Sequence, residues 1–278
     1  MKNIFTLGLM AALTSCTGMV FQPSHRFYVS PEKTVQQTPD SMMIPVSKNV
    51  SLHAWHFHTK EKNIKGVIVQ FHGNAENISS HYLSVAWMLN YGYDLVTFDY
   101  RGYGLSEGIS SFPEVVVDSE KVLEFVRDQY KGQVPIIVYG QSIGSIIAEN
   151  AVKRSKVPIS QMVLEGGIYS LNQVSANILS KHWVTWLFQP FGYVLMTHHY
   201  NFKKIAKDFP KIPVLLLHSR HDPIISYKQS EKIYNALPSQ KCLKLVEERE
   251  HVNIGNVGHG KYRQDILNFL EKSECKNE

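Results

Sequence analysis

The chain of 278 residues carries 29 lysines and arginines against 24 aspartates and glutamates, a formal net charge of +5 at pH 7. Its length and ordinary apolar content allow one fully buried core, so we expect a single domain with a tail. The basic residues are spread along the chain and do not cluster with aromatic residues, which argues against a nucleic-acid partner.

The first fifteen residues predict a targeting signal that is not part of the fold. Lys2 supplies a positive start, and residues 4–13 form an apolar stretch too short to span a bilayer. The signal ends in Leu-Thr-Ser-Cys at residues 13–16, which resembles the cleavage box of bacterial lipoproteins. In that family cleavage leaves the cysteine, here Cys16, as an acylated N-terminus, and Thr17 in place of Asp points to the outer membrane. The alternative is a plain secretory signal whose removal discards Cys16.

Residues 16–42 contain three prolines and no reliable period, and they predict a tether between lipid and domain. Residues 43–272 alternate short apolar runs with helical patterns, and residues 273–278 form a polar tail. The predicted strands are residues 43–46, 50–57, 67–71, 93–98, 134–139, 161–164, 212–217 and 243–246. The predicted helices are residues 78–90, 113–129, 145–154, 227–235 and 261–270. This order predicts an α/β fold: a mostly parallel eight-stranded sheet with helices on both faces and an antiparallel pair at one edge.

One segment, residues 168–210, interrupts the alternation. It is rich in aromatic residues and poor in charge, and an insertion of this kind predicts a small helical cap or an acyl-binding wall over a site. The alternative is that these aromatic residues form the core of two packed helices. The residues concerned are Trp183, Trp186, Phe188, Phe191, Tyr193, Met196 and Tyr200.

The sequence GQSIG at residues 140–144 lies between an apolar strand pattern and a helical one. A serine at the apex of such a turn needs glycine on both sides, because its backbone is strained and neighbouring side chains would collide. This pattern predicts a nucleophile elbow with Ser142 exposed at the sheet edge. A serine hydroxyl needs a base and an acid to act as a nucleophile.

Candidates for the acid and the base follow later strands. Asp222 lies in a loop at the carboxyl end of the strand predicted at residues 212–217, where ligands collect in α/β sheets. His251 follows the strand at residues 243–246 after a short loop, whereas His259 lies two residues before the last helix. Asp222 would orient the base, and both histidines remain candidates for it.

A developing oxyanion needs two backbone N–H donors. Ile143 follows the serine and supplies one of them. The loop after the strand at residues 67–71 reads HGNA at residues 72–75, and it predicts Asn74 as the second donor, with Ala75 as the alternative.

HGNAEN at residues 72–77, DYRGYGLS at 99–106, GQSIG at 140–144 and Asp222 together resemble the α/β-hydrolase superfamily. More narrowly, they are similar to bacterial lipoprotein hydrolases, and to their eukaryotic membrane-associated relatives, that carry HGNA and DYRGYGxS. In this superfamily the order is serine, acid, histidine, with the histidine soon after the last strand. The resemblance therefore favours His251 over His259, and it implies that the DYRGYG segment has a structural role.

These residues predict a serine hydrolase that cleaves an ester or thioester of a small-molecule or lipid acyl substrate through an acyl-enzyme. A peptidase or amidase would use the same residues, and a lipid-anchored protein without catalysis is the alternative outside enzymes. Dehalogenases and epoxide hydrolases place aspartate at the apex, which Ser142 argues against. The mechanism needs no cofactor, and the predicted location is the cell envelope, anchored to its membrane by lipid.

Two further groups have less decisive patterns. Cys242 lies in a predicted strand and Cys275 in the tail, so the sequence leaves open whether they pair. His53, His56 and His58 alternate along a strand, but no carboxylate or cysteine stands at ligand spacing. We therefore interpret them as surface histidines and predict no metal site.

Overall fold

The computed structural model describes residues 21–180 and 200–275, and in them one eight-stranded sheet with strand order β1-β2-β4-β3-β5-β6-β7-β8. The strands are β1 (Asp40–Ser47), β2 (Val50–Phe57), β3 (Gly66–Phe71), β4 (Tyr93–Phe98), β5 (Ile136–Gln141), β6 (Ile159–Glu165), β7 (Val214–Ser219) and β8 (Lys241–Val246). β1 and β2 form an antiparallel hairpin, and β2 also pairs antiparallel with β4. All other pairs are parallel. The predicted α/β-hydrolase fold, with its antiparallel pair at one edge, is confirmed.

Eight α-helices accompany the sheet in the described ranges. They are α1 (Pro31–Thr34), α2 (Ile78–His81), α3 (Phe112–Gln129), α4 (Ile143–Arg154), α5 (Leu171–Ser180), α6 (Phe202–Ile205), α7 (Lys228–Ala236) and α8 (Arg263–Lys272). Short 3-10 segments occupy Tyr82–Ser84, Ala86–Tyr91, Ala206–Asp208 and Ile254–Gly260. Within the described chain no helix has the length and apolar character needed to cross a membrane.

Two apolar layers cover the two faces of the sheet. Side chains alternate across a strand, so in β3 Val67 and Val69 join one layer and Ile68 joins the other. The first layer includes α3, α4 and α7, and the second includes the segment from α2 to Tyr91 together with α8. Both faces of the central strands are therefore buried, which explains their continuous apolar sequences.

The predicted helix at residues 78–90 is wrong in detail. The segment forms the single turn α2 and then two 3-10 stretches. Its serine hydroxyls bond to nearby carbonyls, Ser80 to Asn77 O at 3.0 Å and Ser84 to His81 O at 2.8 Å. Such local bonds compete with a regular helix, and the amphipathic pattern alone did not indicate them.

Part of the predicted tether, residues 16–42, has secondary structure. β1 begins at Asp40 rather than at residue 43, and α1 lies within the stretch predicted to lack structure. Phe21 is buried in the first apolar layer, and Ser24 N–H donates to Glu76 O. The buried Phe21 and this hydrogen bond therefore hold the start of the described segment on the domain, whereas Phe27 is exposed.

The described parts of the insertion are α5, α6 and Tyr200. Tyr200 stacks on Phe112 with ring centroids 5.5 Å apart. The other six aromatic and methionine residues of the predicted cap lie outside the described residues, as does Cys16.

A disulfide joins Cys242 in β8 to Cys275 after α8. It ties the chain beyond the last helix to the edge strand. The sequence left this pairing open because it could not place the tail beside β8.

Candidate active site

Ser142 stands at the apex between β5 and α4, where the sequence predicts it. Its backbone has φ 54° and ψ −120°, a conformation that residues other than glycine rarely adopt. Ser145 N–H donates to Ser142 O at 2.9 Å and closes the turn. β5 before Ser142 and the first turn of α4 after it keep the backbone in this strained conformation.

The two glycines of the GQSIG sequence are required by close backbone contacts. A Cβ on Gly144 would lie 2.1 Å from Phe71 O, and one on Gly140 would lie 2.9 Å from Ser145 Cα. Any larger residue at 144 would therefore separate α4 from β3. The close approach places the HGNA loop, which follows Phe71, directly beside Ser142.

Ser142, His251 and Asp222 form one chain of hydrogen bonds. His251 Nδ1 lies 2.7 Å from Asp222 Oδ2, and His251 Nε2 lies 2.8 Å from Ser142 Oγ. Because the carboxylate can only accept, Nδ1–H donates to it and Nε2 accepts from the serine hydroxyl. The three residues lie far apart in sequence, and the carboxyl ends of β5, β7 and β8 bring them together.

His259 does not take part in this chain. It is exposed and has φ 57°, in the 3-10 segment before α8. Of the two predicted bases, the structure places His251 between Ser142 and Asp222.

Several donors hold the Asp222 carboxylate. Oδ1 accepts from the N–H groups of Ile224 at 2.7 Å and Ile225 at 2.8 Å. Oδ2 also lies 3.1 Å from Nε2 of His218, whose side chain is fully buried. Burial alone would raise the pKa of Asp222, but the hydrogen bonds from His218 and His251 lower it to about 2. Asp222 is therefore a carboxylate at neutral pH.

His218 is a part of the site that the sequence analysis missed. Its Nε2 lies 3.1 Å from Asp222 Oδ2 and 3.0 Å from Ile225 O, which both only accept, so Nε2 carries the proton and Nδ1 accepts from Ser230 Oγ at 2.7 Å. A signal was available, because a histidine in the otherwise apolar β7 lies four residues before Asp222.

Glu165 is a second missed residue. It ends β6 and is fully buried. Its Oε1 accepts from Ile254 N–H, and its Oε2 accepts from Gln141 at 2.6 Å. Glu165 thus ties the loop that carries His251 to the strand that carries Ser142, and a charged residue at the end of a buried strand was its signal.

The predicted oxyanion donors lie beside Ser142. Asn74 and Ile143 line the same cavity as Ser142 and His251. Ile143 is the first residue of α4, where backbone N–H groups have no acceptor within the helix. The Asn74 side chain accepts from Tyr103 OH at 2.8 Å and from Gln22 N–H at 2.9 Å, which fixes the loop.

The DYRGYG segment lies beside the HGNA loop and is itself held by buried polar contacts. Arg101 forms two hydrogen bonds to the buried carboxylate of Asp118, at 2.6 and 2.7 Å. Asp99 accepts from Ile78 N–H at 2.9 Å, and a Cβ on Gly104 would lie 2.0 Å from Asp99 Oδ2. These contacts hold the chain in place and bring no reactive group to Ser142.

A cavity of about 410 Å³ opens over Ser142. Beside the polar residues near Ser142, its described wall has a large aliphatic part, formed by Ile143, Ile168, Leu171, Val174, Ile224, Ile225 and Val252. A neighbouring cavity of about 380 Å³ is more polar and is lined by Asn177, Arg220, Ser226 and Tyr227 among others. The two cavities meet at Val174, Ile224 and Ile225.

The sheet topology and the serine turn define the class of this protein as an α/β-hydrolase. The chain belongs to the Hydrolase_4 family, described as serine aminopeptidase S33, whose model matches residues 62–210.

Curated relatives extend the likeness beyond that range. The Escherichia coli K12 protein YfhR, named as uncharacterized, is 25% identical over 279 residues, covering 97% of this chain and 94% of YfhR. The rat lysophosphatidylserine lipase ABHD12 is 28% identical over 189 residues, covering 63% of this chain and 46% of ABHD12.

Solved structures share the fold at lower identity. The Pyrococcus furiosus esterase Pf2001 superposes with a TM-score of 0.74 at 19% identity, covering 91% of this chain and 97% of the esterase. A soluble variant of the Saccharomyces cerevisiae monoglyceride lipase gives 0.70 at 20% identity, covering 90% of this chain and all of the lipase.

Proposed function

We propose that this protein is a serine hydrolase that cleaves an ester or thioester of an acyl chain. The observation that carries the proposal is the hydrogen-bond chain from Ser142 Oγ through His251 to Asp222, with separations of 2.8 and 2.7 Å. This is the arrangement of nucleophile, general base and orienting carboxylate that acyl transfer requires.

His251 Nε2 removes the hydroxyl proton as Ser142 Oγ attacks the acyl carbonyl carbon. The N–H groups of Asn74 and Ile143 stabilise the oxyanion of the tetrahedral intermediate. His251 then returns the proton to the leaving alcohol or thiol, and the acyl group stays on Ser142. Water, activated by the same histidine, attacks the acyl-enzyme and releases the carboxylic acid.

The wall of the cavity favours an acyl substrate over a peptide. An aminopeptidase must bind the cationic amine of its substrate, for which a carboxylate is the usual partner. Among the described residues that line the cavity over Ser142 there is no Asp or Glu. The aliphatic wall suits an acyl chain, and the adjoining polar cavity suits the alcohol or thiol part. Two of the similar proteins are named as lipases of monoacyl lipids, which agrees with this choice.

We further propose that Cys16 carries the lipid that anchors the enzyme in the cell envelope, facing the periplasm from the outer membrane. The cleavage-box sequence is its first support. A disulfide between Cys242 and Cys275 suits an oxidising compartment, which is the second. The exposed Phe27 and Leu105 line one hollow with His25 and Arg26, close to the N-terminal segment, and this apolar and basic surface suits contact with anionic lipid.

The test is labelling by a fluorophosphonate probe together with turnover of an ester series of increasing chain length. Ser142→Ala should abolish labelling and lower kcat by about 10⁴-fold or more, since the nucleophile is lost. His251→Ala should also abolish turnover, and His259→Ala is the matched control that keeps it. Labelling that persists in Ser142→Ala, or loss of activity only in His259→Ala, would refute the assignment. Faster cleavage of amides than of esters would favour the peptidase alternative.

A further inference from the structure

Of the three histidines predicted to be surface residues, His53 is buried, which corrects that prediction, whereas His56 and His58 lie beside two carboxylates. His56 is in β2, and His58 follows the end of that strand. Asp40 begins β1, whose register places it opposite His56. Asp94 is the second residue of β4, the other neighbour of β2. The β1-β2 hairpin and the more distant β4 therefore meet at one point.

The ligand atoms of this cluster are close together. One such atom from each of Asp40, His56 and His58 lies within 4.8 Å of the others. His58 Nε2 is 2.9 Å from Asp40 Oδ2. Asp94 Oδ2 is 3.5 Å from both His56 Nε2 and His58 Nδ1.

From this geometry we propose that Asp40, His56 and His58 form a three-ligand binding site for one divalent transition-metal ion of the Zn²⁺ type. The buried Asp94 lies on the other side of the His58 ring from Asp40 and is an outer partner of the histidines. Two ligand atoms at 2.0–2.2 Å from a tetrahedral zinc ion lie about 3.4 Å apart. His58 Nε2 and Asp40 Oδ2 are 2.9 Å apart, and all three ligand atoms lie within 4.8 Å of one another, so side-chain shifts of roughly 1 Å bring them to this spacing. Two imidazoles and one carboxylate are a ligand set that zinc takes in proteins, with a water molecule in the fourth position.

The surroundings of the cluster resemble those of a built site. Asp94 is buried, and its Oδ1 accepts from Thr59 N–H at 2.8 Å. Tyr130 OH lies 2.5 Å from Asp94 Oδ2 and 2.7 Å from His56 Nε2, so it orients both groups. Such outer partners fix the ligands of protein metal sites. The side chains of Asp40 and His58 are 69% and 50% exposed, which leaves an open side for the ion to enter.

This site lies far from the proposed chemistry. β2 runs antiparallel to β4, and Phe57 pairs with Leu95, so the cluster sits at the amino ends of the parallel strands. Ser142, Asp222 and His251 follow the carboxyl ends. The ion would therefore join β1, β2 and β4 at the edge of the sheet and would not touch the substrate.

The test is Zn²⁺ binding to the full chain, purified without a histidine tag and freed of metal. Calorimetry should give one Zn²⁺ per chain, and bound Co²⁺ should show the visible spectrum of a tetrahedral site. The double variant Asp40→Asn/His58→Gln should lose both signals. Because both positions are exposed, this variant should fold normally in the absence of metal. Tyr130→Phe should weaken binding by about 10–100-fold, the usual effect of losing an outer partner.

His221→Gln is the matched control, because His221 is also exposed and lies 3.4 Å from a carboxylate, that of Glu247. It should bind Zn²⁺ like the unchanged protein. Zn²⁺ should also raise the melting temperature of the unchanged protein and of this control, but not that of the double variant. Absence of stoichiometric binding, or binding that survives in the double variant, would overturn the proposal and would leave a plain hydrogen-bond cluster.

Discussion

Asp222 Oδ2 faces two histidine rings, His251 at 2.7 Å and His218 at 3.1 Å. Of these two rings only His251 reaches Ser142, so in the proposed reaction His218 would act through the carboxylate. Its N–H holds Asp222 in the ionised form and in the orientation that His251 needs. We regard His218 as a positioning residue for the base.

The pKa of Asp222 gives this role a measurable consequence. The pKa is about 2 in the folded protein, below the value near 3.9 in an unfolded chain. Asp222 therefore adds stability that is fully present above about pH 4 and is lost as the pH falls through about 2. Replacement of His218 by Leu removes a donor, so the pKa of Asp222 rises and the loss begins at higher pH.

We expect His218→Leu to lower kcat by about 10–100-fold, the equivalent of one hydrogen bond to a charged group. On acidification, the free energy of unfolding of this variant should also begin to fall at a higher pH than that of the unchanged protein. Ser230→Ala is the control, because it removes the other partner of the same ring and leaves the contact with Asp222. The measurements are the free energy of unfolding and kcat of both variants from pH 2 to 8. Equal pH profiles for the two variants would show that His218 is only a packing residue.

At the scale of elements, the sequence predicted those features that depend on neighbouring residues. The strands came from apolar runs, and β2 and β4 have the predicted bounds. The helix expected at residues 78–90 failed, because serine hydroxyls bond locally there. Tertiary contacts also decided the N-terminal segment, since Phe21 is buried by surface that no local pattern reveals.

The same distinction applies to the two sites. The proposed triad of Ser142, Asp222 and His251 could be predicted because each residue follows the end of a strand, directly or in the next loop, and their order is that of the family. His218 and Glu165 act through groups on other strands, so their roles appear only when the sheet is assembled. The carboxylates beside His56 and His58 could not be predicted for the same reason: they come from β1 and β4, 16 or more residues away in sequence.

The turn that carries Ser142 allows a prediction at the scale of one element. A Cβ on Gly144 would lie 2.1 Å from the backbone oxygen of Phe71, which cannot move without shifting β3. Gly144→Ala should therefore lower the free energy of unfolding by about 3 kcal/mol or more and abolish fluorophosphonate labelling. Chemical denaturation measures the first effect.

Gly132 is the matched control for this substitution. It has φ +66°, and a Cβ there would meet no atom within 4 Å. Gly132→Ala should cost only about 1 kcal/mol, the price of a left-handed backbone for a residue with a Cβ. Similar losses for the two variants would show that steric contact with β3 is not the reason for glycine at 144.

At the scale of the whole molecule, the disulfide between Cys242 and Cys275 closes the C-terminal part of the domain. It spans 33 residues that include the loop with His251 and helix α8. Cross-linking a loop of this length restricts the unfolded chain and is expected to stabilise the fold by about 3–4 kcal/mol.

Cys275→Ser, or reduction of the unchanged protein, should therefore lower the free energy of unfolding by up to about 3–4 kcal/mol in urea titrations. Reductant should have no further effect on Cys275→Ser, which is the internal control. Two additional reactive thiols in the denatured, unreduced protein, relative to a Cys242→Ser/Cys275→Ser variant, would contradict the bond.

The N-terminal segment links the proposed anchor to the proposed active site. Phe21 is buried in the domain, and Gln22 lines the cavity over Ser142. Cys16 precedes Phe21 by five residues, a length of chain that spans at most about 18 Å. A lipid on Cys16 would therefore hold the cavity close to the membrane surface, where acyl esters of membrane lipids are concentrated.

A flexible spacer between residues 16 and 21 tests this orientation. With about 20 added Gly and Ser residues, the effective concentration of the site at the membrane falls with the −3/2 power of the linker length, or roughly tenfold. Turnover of a monoacyl ester embedded in vesicles should fall by a similar factor, whereas turnover of a soluble short-chain ester should stay the same. The same linker added after residue 278 is the control and should change neither rate. Cys16→Ala should release the enzyme from the membrane altogether. If the spacer variant remains membrane-bound and cleaves the embedded ester at the original rate, the short connection between anchor and cavity does not set access to substrate.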